Sequence, residues 1–222
     1  MKKKFEWLNH VSNFLAVIIG VMLAFYINER ARLNSDKKEA QILMQSLAEE
    51  MVSHIRTFEE YQIPINKEIQ QNVDSLVGKL IMKDYAGVEE MLGTILQVEN
   101  NFPSSSTYTS MKASGKLALI EDVKLRSKLS YFYDELALES QAKGELQADF
   151  FTDELLIWLA DNADLSTGEV FDTQDLTILA NRLIIYQSLL SQKITNYEYV
   201  LEESRELHEY LSEALGVQEQ SG

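Results

Sequence analysis

Cysteine is absent from the 222 residues. That excludes disulfides, thiolate chemistry and cysteine-ligated zinc or iron–sulfur sites. Proline occurs twice and glycine nine times, too seldom for a turn-rich β architecture and in keeping with long unbroken helices. Histidine occurs three times. His10 lies in the apolar N-terminal run, His54 follows Glu50 by four residues, and His208 adjoins Glu209. A di-iron carboxylate centre in a helical bundle needs Glu-x-x-His pairs on two helices, and that spacing is missing, so no metal and no cofactor is expected. Ser104, Ser105 and Ser106 have no Gly-x-Ser-x-Gly elbow around them and read as a loop. The chain is therefore expected not to be an enzyme.

Positive charge is also scarce. The chain carries 20 Lys and Arg against 35 Asp and Glu, for a net −15. Residues 1–32 hold five of the basic and two of the acidic groups, which leaves 15 against 33 beyond them, or −18. Such a surface repels nucleic acid and anionic headgroups and suits a partner with a basic face.

What the chain does have is one long apolar run. No charged residue stands between Glu6 and Glu29, and residues 7–28 reach about 33 Å as a helix, enough to cross a bilayer. Trp7 and Tyr26 mark its ends, where amphipathic rings sit at headgroup level. Tyr26-Ile27-Asn28 is no small-x-small cleavage site, which argues for an uncleaved signal anchor over a removed signal peptide. Ser12, Ala16, Gly20, Ala24 and Asn28 recur every four residues, a face that lets a second transmembrane helix approach closely. Lys2, Lys3 and Lys4 precede the run and Arg30, Arg32, Lys37 and Lys38 follow it. The positive-inside count is close to a tie, but a short basic leader resembles a signal anchor that leaves the domain outside the cytoplasm.

Beyond the span the apolar residues keep helical spacing. The rows are Ala40, Met44, Leu47, Met51, Ile55 and Phe58, for a helix ending near Tyr61, then Ile65, Ile69, Val73, Leu76 and Leu80, for a helix begun by Pro64. A third helix is expected from Tyr85 to Val98, with Met91, Leu92 and Ile95 inward, before a loop over 100–107. A short helix over Tyr108–Ala113 stops at Gly115, the residue type that takes a left-handed cap. Asp122 caps the next helix, with Leu125, Leu129, Phe132, Leu136, Leu146, Phe150, Leu155 and Leu159 inward. After a loop over 161–171, Asp172 precedes a last helix with Leu176, Leu179, Leu183, Leu190, Ile194, Tyr197, Leu201 and Tyr210 inward. The expected class is all-α, one N-terminal transmembrane helix continuing into an antiparallel bundle: leader 1–6, span 7–28, acidic bundle 29–215 and polar tail 216–222.

Two segments carry a family resemblance. Phe-Leu-Ala-Val-Ile-Ile-Gly-Val-Met-Leu-Ala-Phe-Tyr-Ile-Asn-Glu runs from Phe14 to Glu29, and Tyr-Thr-Ser-Met-Lys-Ala-Ser-Gly-Lys-Leu-Ala-Leu-Ile-Glu-Asp from Tyr108 to Asp122, followed by Leu125, Leu129 and Tyr133. Together they resemble an uncharacterised family of single-span, N-terminally anchored helical proteins of Bacteroidota. Met111 stands where that family usually has leucine, and the basic leader is shorter. The resemblance implies a bacterial inner-membrane protein with a cytoplasmic N-terminus and a periplasmic domain, the alternative being a cytoplasmic domain. It implies no activity.

The same segment holds Lys112, Lys116, Lys124, Arg126 and Lys128, the only locally basic stretch of the domain. Its readings are a solvated face or a contact with lipid phosphates or an acidic partner. The functional expectation is a non-catalytic interaction, scaffold or accessory subunit of a membrane complex, with another transmembrane protein or a second copy as partner and no nucleic acid. The alternative is a periplasmic sensory ligand-binding bundle that acts through a signalling partner.

Overall fold

The computed structural model describes residues 2–100, 102–170 and 176–216. Helix α1, Lys2–Arg56, passes through a π-turn at Thr57–Gln62 directly into α2, Ile63–Met82. The break expected between Tyr61 and Pro64 does not occur. Pro64 lacks an N–H and its ring crowds the preceding turn. The π-turn accommodates it, with Ile63 N donating to Phe58 O five residues back. Lys83, at φ +56, ends this first rod.

The chain then returns along the rod as an irregular strip. It contains α3 (Val88–Leu92) with a 3-10 turn at Gly93–Ile95, then α4 (Ser106–Ala113) and a 3-10 turn at Lys116–Leu119. The third helix is thus much shorter than the expected run to Val98. Three contacts fix the strip's direction: Tyr61 to Glu99, Glu50 to Thr107 and Glu39 to Lys116. As residue numbers rise on one side they fall on the other. Gly115 lies beyond α4 at φ +73, the left-handed conformation its lack of a Cβ allows. Asp122 caps the next helix by accepting from Lys124 N and Leu125 N.

That helix is α5 (Val123–Tyr131), which runs through a π-turn at Phe132–Leu136 into α6 (Ala137–Phe150) and through another at Phe151–Leu156 into α7 (Ile157–Asn162). It forms the second rod. The third is α8, Thr177–Leu215; Asp172, expected to precede it, lies outside the described residues. Lys67–Glu198 and Arg205–Glu59 tie α8 antiparallel to the first rod, and Lys128–Glu206 and Arg182–Glu154 tie it antiparallel to the second. The result is an up-down-up-down, all-α bundle whose second member is the broken strip.

The inward rows match the expected ones, with a few corrections. Leu146 is 56% exposed, while Gln147 and Phe151 are buried in place of Leu146 and Phe150. At 100° per residue Leu146 lies about 80° around the helix from Leu136, whereas Gln147 lies about 20° from it and so takes the inward position. Tyr210 is half-buried, its hydroxyl on Asp122, while Leu207 and Leu211 fill the interior.

The core is in two parts. One, nearer the span, joins Leu47, Met51 and Phe58 to Tyr108, Leu129, Phe132, Tyr197 and Leu207. The other, at the far end, joins Val73, Leu76 and Leu80 to Ile95, Leu155, Leu183 and Leu190. Below both, α1 continues alone. Every described side chain from Val11 to Asn34 is exposed, and this stretch is apolar and long enough to cross a membrane.

Candidate functional site

The small residues of the apolar stretch share one side of α1. Ser12, Ala16, Gly20, Ala24 and Asn28 all lie on α1, all exposed, and a Cβ placed on Gly20 meets no atom within 4 Å. At 100° per residue this face points away from the α1 side that Ala40, Leu47 and Met51 bury. None of the described residues beyond α1 covers it.

The basic stretch lies at the end of the bundle nearer the apolar stretch. Lys116 is level with Glu39, about 16 Å of helix past Asn28. All five cations have partners within the chain. Lys112 pairs with Asp134 at 2.7 Å, Lys116 with Glu39 at 2.6 Å and Lys128 with Glu206 at 3.2 Å. Lys124 lies over the Tyr210 ring, and Arg126 donates to Ile120 O. They serve to fasten α4 and α5 to their neighbours.

Glu50 and His54, read from sequence as a possible ligand pair, do something else. The Glu50 carboxylate accepts from Thr107 N at 2.6 Å, Tyr133 OH at 3.0 Å and Ser106 Oγ at 3.1 Å. His54 Nε2 donates to Ser104 O at 3.1 Å. The ring is buried edge-on among Phe102, Phe132 and Tyr133. Burial pushes the imidazole pKa down, against the opposing pull of Ser104 O and the Glu50 charge, which favours the neutral form. Together they pin the serine loop to α1. His208 lines a surface groove with Ile42 and Val52.

The most unusual chemistry is a layer between the two cores that the sequence reading did not single out. Lys193 is completely buried. Its Nζ donates to Gln147 Oε1 at 2.6 Å and to Glu99 O at 2.9 Å. Gln147 Nε2 donates to Tyr186 OH at 2.7 Å, and Asn66 Nδ2 donates to Gln62 O at 2.7 Å and weakly to Glu99 O at 3.4 Å. Tyr197 OH donates to Asn100 Oδ1 at 3.1 Å, and that Asn100 side chain packs against Gly144. Desolvation outweighs the charge of Glu99 and pushes the Lys193 ammonium down to about 7; burial also drives the Tyr186 and Tyr197 hydroxyls up, the latter to about 12. All three rods and the return strip contribute, so the layer exists only in the assembled bundle. The available sequence signal was polar residues on inward helical positions: Gln62 and Asn66 ahead of Ile69, and Lys193 beside Ile194.

No curated protein matches the chain, and no solved structure does. A family described as "Family of unknown function (DUF6090)" matches residues 13–199, from within the apolar span to well into α8. The match takes in the span face from Ala16 on, the segment around Gly115 and the whole buried layer, and the chain belongs to this family.

Proposed function

We propose that the protein is a membrane-anchored, non-catalytic accessory or scaffold subunit, held in a bacterial inner membrane with its bundle on the periplasmic side. The observation that carries this reading is the unbroken helix from Val11 to Met82. It couples an uncovered apolar span directly to the packed bundle, so a partner that grips the span also sets the position of the domain. The exposed face of Ala16, Gly20 and Ala24 supplies a surface for a second transmembrane helix, and the acidic domain suits a partner with a basic face. Lys193, Gln147 and Tyr186 are linked side chain to side chain in the interior, an arrangement that suits a fixed shape. A sensory bundle is the second reading, favoured by the polar layer around Lys193.

The test is purification of the full chain from its own membranes in mild detergent, together with a version whose residues 11–28 are replaced by polyleucine. The native chain is expected to bring down one membrane protein, or a second copy, in fixed ratio, and the polyleucine chain to lose it. Protease added to intact spheroplasts is expected to remove the bundle. A chain that purifies alone from both preparations is no subunit, and a bundle protected until the membrane is lysed lies in the cytoplasm.

A further inference from the structure

Five buried polar atoms in and beside the layer have no protein partner: Gln62 Nε2 and Oε1, Asn66 Oδ1, Ser140 Oγ and Asn196 Oδ1. All four residues are at least nine-tenths buried. Each lies within about one helical turn of a residue of the layer, or of another of the four on its own rod. Gln62 and Asn66 are one turn apart on the first rod, Ser140 stands one turn before Gly144 on the second, and Asn196 stands nearly one turn after Lys193 on the third. A buried polar group left dry costs about 1–3 kcal/mol, a heavy cumulative penalty for a domain of ordinary marginal stability. Such clusters in folded proteins are met by internal water with several polar partners.

Lys193 fits the same picture. The structure offers its Nζ two oxygen acceptors, Gln147 Oε1 and Glu99 O. Two acceptors match the two N–H bonds of a neutral amine; the ammonium has a third N–H to place. An open groove of about 420 Å³ on the seam of the second and third rods, lined by Glu139, Lys143, Gln192 and Thr195, meets this set of residues at Asn196.

We propose that the layer is an internal hydration site: water held by Gln62, Asn66, Ser140 and Asn196 bridges the two cores, and Lys193 exchanges its proton with solvent through it. The surrounding charges are few. The first rod presents neutral Gln62 and Asn66 to the layer, with the Lys67–Glu198 pair at the surface. The return strip presents Glu99, whose carboxylate is held by Tyr61 and Gln97. The second rod presents neutral Gln147, with the Lys143–Glu139 pair at the groove mouth. On α8 itself, Tyr186 and Tyr197 stay protonated at neutral pH. The proton that Lys193 releases therefore has water as its acceptor, and no buried carboxylate competes for it.

The experiment uses the full chain in lipid nanodiscs with 15N in its lysine and side-chain amide nitrogens. Water-to-protein magnetisation transfer is expected at the Gln62 and Asn66 carboxamides. The Lys193 Nζ resonance, assigned by its loss in Lys193→Met, is expected to titrate near pH 7, against about 10.4 for surface lysines. Gln62→Leu provides a readout that leaves Lys193 in place. In a hydrated layer it removes an anchor for the water, and the unfolding midpoint falls. In a dry layer it removes two unmet polar atoms, and the midpoint rises. Carboxamides without water transfer, or a rise for Gln62→Leu, would overturn the hydration site. A Lys193 signal that titrates with the surface lysines would overturn the proton exchange.

Discussion

Two glycines in helix interiors show how one side chain can have opposite effects in similar backbone. Gly78, in α2, has open space where a Cβ would go; Gly144, in α6, has the Asn100 carboxamide carbon only 2.7 Å from that point. Alanine relieves the conformational cost of helical glycine by about 0.5–1 kcal/mol at either position. At Gly144 it also displaces the Asn100 side chain and its bond from Tyr197 OH, and overpacking costs about 1–3 kcal/mol. Denaturant unfolding of the full chain should show Gly78→Ala stabilising by about 0.5–1 kcal/mol and Gly144→Ala destabilising by about 1 kcal/mol. Equal shifts of the same sign would mean that Asn100 moves aside freely. The Gly144 contact was not legible in the sequence, because Asn100 meets it only after the return strip has folded back. Asp122 as a cap and Gly115 as a stop were legible, since both act on backbone a few residues away.

At the scale of elements, periodicity located every long helix but could not count turns. Each π-turn inserts one residue without breaking the helix, so the rows before and after it belong to different registers. The row Leu125, Leu129, Phe132 and Leu136 is buried, and Leu146 turns outward because at 100° per residue it stands about 80° around the helix from Leu136, where Gln147 stands about 20° from it. Pro64 misled because a rule for α-helical turns does not govern a residue that follows a wider one. The small-residue face of the span is an element-scale proposal with a direct test. Gly20→Leu should weaken association of the span with a second transmembrane helix by separating the backbones. Ile18→Phe, about 160° around the helix, should leave it unchanged. A reporter of helix association in the bacterial membrane distinguishes them, and equal losses at both positions would make the small residues incidental.

For the whole molecule, the question is whether anchor and bundle move as one body. Isolated helices are marginal in water, and the stretch from Glu29 to Ser35 is exposed on every side, with Asp36 the first half-buried residue and Lys37 and Lys38 bordering grooves that Ile120 and Ser212 also line. Rigid coupling of span and bundle depends on this stretch. It contains no glycine or proline, and Arg32–Glu29 adds an ion pair along it. Because the chain has no native cysteine, spin labels can be placed at Phe25→Cys and Ile42→Cys without other changes, both positions being exposed on α1. A continuous helix puts them about 26 Å apart along its axis, and a nanodisc sample should give one narrow distance near that value. Adding Lys37→Pro and Lys38→Pro removes helical hydrogen bonds and crowds the preceding turn, at about 3 kcal/mol or more per proline. The distribution should then broaden and shorten, while the core, whose first buried residue is Ala40, keeps its unfolding midpoint. A native chain already as broad as the proline variant would show that the bundle hangs from its anchor on a flexible tether, and tilt of the span would then carry no information to the domain.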